Sequence, residues 1–218
     1  IQRTIRHSGS TLKKADIMKL FFKSISYLFH PLFAPIAGTF AYFIITPKYT
    51  PLSLQSGNIL PIFILTVIIP IICFFILKNL RLVNSIFLVD INERKYALLI
   101  NIVLLLMILL KVIPNNYVME VYYYFVGLLT AFLSCFLLLF LRFKVSLHMM
   151  SIGSFLMYLI ALSIHFEINI IVAISFFTLL SGIVATAQLF LNNNSKKEVV
   201  AGFLIGIISQ LITLKFWL

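Results

Sequence analysis

Three short polar stretches interrupt an otherwise apolar chain, and each carries groups that hold or transfer charge. They are DINERK at 90–95, RFKVSLH at 142–148 and QLFLNNNSKKE at 188–198. Arg94, Lys95, Arg142 and Lys144 are cations that suit either anionic lipid headgroups or the oxygens of a phosphate. Ser146 and His148 follow closely, and His148 reads as a proton donor or phosphate contact. Ser195 and Glu198 have the S-x-x-E spacing of a capping box, which accounts for both without a ligand. Polar residues at helix ends are also ordinary solvation, so each stretch has a plain reading as a solvated turn.

Other polar residues have simpler explanations. His30 lies beside Pro31 and Pro35, where it either bonds carbonyls freed by the prolines or approaches a site from the side. His165 and Glu167 are too sparse for a metal site, and no metal or cofactor is expected. Gly202 and Gly206 form a G-x-x-x-G, whose usual meaning is close helix packing. Cys73 and Cys135 sit inside apolar runs and read as small core residues.

The elements that must carry these groups are membrane helices. Of 218 residues, 62% are hydrophobic and 11% charged, and the mean hydropathy is +1.11. A soluble domain of this length cannot hide so much apolar surface. Apolar runs near the length of a bilayer crossing recur along the chain. They predict spans at roughly 25–46, 59–79, 97–113, 119–141, 147–165, 168–191 and 198–218. The fold class expected is all-α, a polytopic bundle of six to seven spans. Residues 1–24 form a basic cytoplasmic segment, and 25–218 a single transmembrane domain. The first apolar run is too long and too punctuated for a cleaved signal, so it is expected to stay as a span, kinked near His30–Pro31. The chain opens on Ile1 rather than Met, so further residues are expected before it.

Charge sets the expected orientation. Net charge is +11, which in a soluble protein would suggest nucleic acid. Here the basic residues lack the aromatic interleaving of such a surface, and no nucleic-acid partner is expected. With seven spans, fourteen of the seventeen Lys and Arg residues fall on one side, leaving Lys48, Lys111 and Lys215 on the other. The positive-inside rule makes the first side cytoplasmic. All three polar stretches then share that side, because two spans separate each from the next.

The last stretch resembles the third signature of the type 2 phosphatidic acid phosphatase superfamily. That signature has an Arg, five intervening residues, a His, three more and an Asp, and it leads into a glycine-spaced helix. The same spacing falls on Gln188, Asn194 and Glu198, with Gly202 and Gly206 following. Ser146 and His148 resemble the Ser and His of the second signature, and Arg94 the Arg that closes the first. The early stretch SISYLFHPLFAPIAG is similar to the first span of a branch found in Bacteroidota. The resemblance implies a bundle with the superfamily's core and a phosphomonoester site. In it the third-signature His attacks phosphorus, the carboxylate orients it, and the second-signature His protonates the leaving alkoxide.

Departures from the pattern limit that chemistry. Asn194 stands at the nucleophile position, and an amide nitrogen does not attack phosphorus. Gln188 replaces a phosphate-binding Arg, Phe87 a Lys, and Lys95 the Pro after Arg94. The expectation is a lipid-phosphate-binding protein with phosphatase activity lost or reduced. Arg94, Lys95, Lys144, Ser146 and Gln188 hold phosphate, His148 is the possible acid, and Asn194 and Glu198 occupy catalytic positions. Its partners are membrane lipids, an anionic phospholipid or a polyprenyl phosphate. The alternatives are an active lipid phosphate phosphatase, using His148 or a water activated by Glu198, and a transporter or structural membrane protein.

Overall fold

The computed structural model describes residues 16–83, 91–116 and 118–218; of these the side chains of Ile91, Asn92, Asn115 and Asn116 are set aside. Every regular element among them is helical. We label the helices α1 (16–28), α2 (Ala34–Ile45), α3 (Leu52–Phe63), α4 (Ile69–Asn79), α5 (Ile91–Met107), α6 (Met119–Phe140), α7 (Leu147–His165), α8 (Ile171–Phe190) and α9 (Lys196–Leu214). α1 and α2 together make one span and α3 and α4 another. Among the described residues, seven helical stretches are then long and apolar enough to cross a membrane. The first begins at Asp16, inside the segment read from sequence as basic and polar, and the last ends at Leu214 rather than Leu218.

Prolines shape the long spans. The first breaks at His30, whose φ of −66° and ψ of 141° leave the helical region, and restarts through a 3-10 turn at Pro31–Phe33. The residue before a proline disfavours the α region, which explains why the break falls there. In the second span a π turn, Ile64–Ile68, precedes Pro70; in the third, Ile108–Val112 precedes Pro114. A helical proline lacks its N–H and crowds the carbonyl four residues back, and a wider turn just before it relieves both.

α7 is the central helix, packed against α9, α6, α8 and α2. Its pairing with α9 is the tightest in the bundle, for a local reason. Gly202 and Gly206 of α9 lie against the α7 backbone at Ser146 and Met150, and Gly153 of α7 faces the Phe203 carbonyl. A Cβ at Gly153 would come within 2.6 Å of that oxygen. The Ser146 N–H donates to the Glu198 carbonyl at 3.1 Å, fixing the two helix starts side by side. The outer faces of α4 and α8 expose Ile72, Phe75, Ile76, Val172, Phe176 and Leu179. In lipid such faces are solvated, because the hydrocarbon is as apolar as they are.

Candidate functional site

The starts of α5 and α7, the end of α8 and the α8–α9 turn meet at one end of the bundle. There they enclose, with the α1–α2 break, a cavity of about 320 Å³. Arg94, His148, Gln188, Asn193, Asn194 and His30 line its polar end. Pro70, Ile71, Phe74 and Phe75 of α4 with Ala97 and Ile100 of α5 form an apolar wall, interrupted by Asn101. The cavity is therefore amphipathic.

Arg94 enters from the first turns of α5, is only 4% exposed, and donates from Nη1 to the Val145 carbonyl at 2.6 Å. That bond ties α5 to the turn before α7 and holds the guanidinium in the wall. His148 is the second residue of α7, and its Nε2 lies 3.0 Å from the Ser26 carbonyl and 3.3 Å from the Ser26 hydroxyl. The carbonyl is available because of the break. His30 N–H bonds Tyr27 rather than Ser26, so the oxygen that would continue the α-helix turns to the histidine.

A line of amides continues from Ser26. Gln188 Nε2 donates to Ser26 Oγ at 2.9 Å, and Asn194 Nδ2 donates to Gln188 Oε1 at 2.9 Å. Ser26, Gln188, Asn194 and His148 are all buried. Two groups in the same wall stay unmatched: Asn194 Oδ1, an acceptor, and Asn193 Nδ2, a donor, are buried with no hydrogen-bond partner. Such atoms are costly when nothing meets them.

Arg94, His148, Gln188 and Asn194, chosen from sequence, thus line one cavity; the other four candidates do not. Lys95 lies with its Nζ 5.9 Å from the Phe140 ring centre, because adjacent residues on a helix point about 100° apart. Lys144 belongs to the turn before α7 and is absent from the lining. Ser146 stands at the N-cap position of α7, fully buried, and its hydroxyl makes no capping bond. Glu198 is held in a capping box, its Oε2 accepting from Ser195 N–H at 2.9 Å while Ser195 Oγ accepts from Glu198 N–H at 3.4 Å. Phe87 and Asp90 fall outside the described residues.

Ser26, which sequence reasoning did not single out, belongs to the site, and so does His30. Ser26 looked like any serine in an apolar run; the signal was Pro31 five residues on, which predicts a carbonyl released near position 26. His30 was read as bonding freed carbonyls or approaching a site from the side, and it lines the cavity. Its Nδ1 accepts from Leu32 N–H at 3.4 Å, and its ring lies 5.3 Å from that of His148, edge to face. His165 does not pair with Glu167: its Nε2 lies 3.4 Å from Glu120 Oε1 at the opposite end of the bundle. Among the described residues no three His, Cys, Asp or Glu side chains gather as a metal group.

Compared with protein-family models, with curated proteins and with solved structures, the chain matches none.

Proposed function

We propose that this membrane protein binds a lipid through its phosphate at the polar end of the cavity, and that it does not hydrolyse that phosphate by a covalent route. The observation that carries the reading is the meeting of Arg94, His148 and Asn194 in one amphipathic cavity. A guanidinium fork suits phosphoryl oxygens, and the apolar wall of α4 and α5 suits a hydrocarbon tail. The unmatched Asn193 donor and Asn194 acceptor ask for a ligand that offers both kinds of group, as a phosphomonoester with one remaining proton does. The resemblance to the type 2 phosphatidic acid phosphatases supports the same ligand class. On this reading the site end faces the cytoplasm, the side that carries most of the basic residues.

The chemistry of cleavage lacks its parts. Asn194 stands where a nucleophile is needed, and Glu198 is engaged in a helix cap outside the cavity. Loss of a covalent nucleophile costs several orders of magnitude in rate.

The test is to give the purified protein phosphatidic acid, phosphatidylglycerol phosphate and undecaprenyl pyrophosphate, measuring binding and phosphate release together. Binding that weakens about tenfold or more in Arg94→Ala, without release above background, is expected. Brisk turnover that disappears in His148→Ala would overturn the inactive reading. Binding indifferent to Arg94 would overturn the phosphate reading.

A further inference from the structure

A second cavity adjoins the first, and His30 lines both. It measures about 220 Å³ and lies between α2, α7 and α8, walled by Leu28, Phe33, Ala37, Ile152 and Phe155. Small residues on α2 leave the room: Ala34 and Ala37 face a helix whose Phe155 stacks edge to face with Phe177 of α8 at 4.8 Å. Leu28 and Phe33 at its margin are exposed, so it opens where a membrane protein meets lipid. Two polar side chains, His30 and Ser151, line this apolar space. Ser151 is 4% exposed, lines the cavity, and its hydroxyl has no hydrogen-bond partner.

The geometry relates the two spaces. Ser151 follows His148 by three residues on α7, about 4.5 Å further along the helix. The second cavity therefore departs from the polar end of the first at His30, at a depth just beyond His148. It is too small for a separate molecule of ordinary ligand size. Its lining suits a hydrocarbon chain with one acceptor near its upper end.

We infer that the second cavity is a limb of the same site and takes the second chain of a two-chain lipid, with the Ser151 hydroxyl donating to that chain's ester carbonyl. This rests on the lipid-phosphate reading and narrows it. A polyprenyl phosphate has one chain and no ester, so it leaves both the limb and Ser151 unmatched. Moving a chain from bilayer to protein gains little from the hydrophobic effect, because lipid is as apolar as the limb. Discrimination therefore comes from the Ser151 hydrogen bond and from tethering the second chain to a phosphate already held.

The experiment measures binding of five probes to the purified full chain: dioleoyl phosphatidic acid, its dialkyl ether analogue, lysophosphatidic acid, undecaprenyl phosphate and dioleoylglycerol. The diester is expected to bind about fivefold tighter than the ether, the worth of one ordinary hydrogen bond. It is also expected to bind tighter than either one-chain probe. Ser151→Ala should erase the ester advantage, and Ala37→Phe, which fills the limb, should bring the diester down to the lyso lipid while leaving the lyso lipid unchanged. Equal binding of one-chain and two-chain probes would overturn the inference. So would survival of the ester preference in Ser151→Ala, a mild change that keeps the fold testable if Ala37→Phe does not assemble. Dioleoylglycerol separates the two claims. If it binds as well as phosphatidic acid and Ala37→Phe removes both, the phosphate reading falls and the limb stands. If Arg94→Ala weakens every phosphate probe and chain number has no effect, the limb falls and the phosphate reading stands.

Discussion

The Nε2 of His148 lies 3.0 Å from the carbonyl oxygen of Ser26, joining the first turn of α7 to the last turn of α1. A carbonyl only accepts, so in the neutral ring Nε2 carries the proton and Nδ1 is the basic nitrogen. The acceptor exists because the helix breaks before Pro31. Pro31→Ala allows the helix to continue, and the Ser26 oxygen then returns to the His30 N–H. In histidine-labelled protein, nitrogen NMR is expected to show one His148 tautomer for the natural chain and a mixture for Pro31→Ala. Ser26→Ala keeps the backbone acceptor and should keep the tautomer, while cutting the hydroxyl link to Gln188. An unchanged tautomer in Pro31→Ala would show that the break does not orient the ring.

The α7–α9 pair depends on the absence of side chains at its contact. A Cβ at Gly206 would meet the Met150 carbonyl and lie 2.7 Å from the Ser154 nitrogen, both backbone atoms that do not move aside cheaply. Gly206→Leu is therefore expected to lower stability by at least about 1–3 kcal/mol, the usual cost of overpacking. Gly182 on α8 has nothing within 4 Å of its notional Cβ. Gly182→Ala should be neutral or stabilise by up to about 1 kcal/mol, through helix propensity alone. Thermal unfolding in one detergent compares the two; similar midpoints would mean that close packing at Gly206 is not what holds the pair.

Much of this architecture was legible because membrane helices obey one strong rule. Apolar length marked out seven stretches able to cross a membrane, and their parity is consistent with Arg94, His148 and Asn194 lining one cavity. The capping box at Ser195 and Glu198 was also readable, being local. What hydropathy could not supply was the rotation of each helix. Lys95 is one residue from Arg94 and points to Phe140 instead. Contacts between spans distant in sequence were equally hidden. Ser26 reaches His148 over 122 positions, and Glu120 joins Lys48 and His165, with no spacing in the chain to announce either.

That second contact makes its own prediction. Glu120, in the first turn of α6, is buried, and its Oε1 lies 2.6 Å from Lys48 Nζ and 3.4 Å from His165 Nε2. A carboxylate suits a helix N-terminus, so the dipole of α6 favours the arrangement. The Glu120 carboxylate, through its hydrogen bond, raises the Lys48 ammonium above its ordinary value. A raised lysine contributes stability that is complete below its unfolded value near pH 10 and is lost as pH climbs through the folded one. The natural protein should therefore lose stability in strongly alkaline solution more steeply than Glu120→Gln. At neutral pH the variant should be less stable by about 1–3 kcal/mol, between an exposed and a buried pair. Parallel pH profiles for the two proteins would remove Glu120 from the account.

Whether the cavity descends from a phosphatase site can be asked by restoring what is missing. Gln188 and Asn194 both line it and bond each other at 2.9 Å, so Gln188→Arg with Asn194→His puts a cation and an imidazole beside Arg94 and His148. The new histidine would stand four residues before Glu198, whose carboxylate is occupied by the Ser195 N–H and so orients it poorly. Slow phosphate release from phosphatidic acid is expected, orders of magnitude below an efficient hydrolase. It should vanish when His148→Ala is added, because the leaving oxygen takes its proton from Nδ1 of the protonated His148 ring. Gln188→Arg alone should tighten lipid binding without release, since it adds charge but no nucleophile. A folded double variant that binds phosphatidic acid and never releases phosphate would argue that Gln188, Asn194 and Glu198 do not stand where an Arg, a His and an Asp once did chemistry.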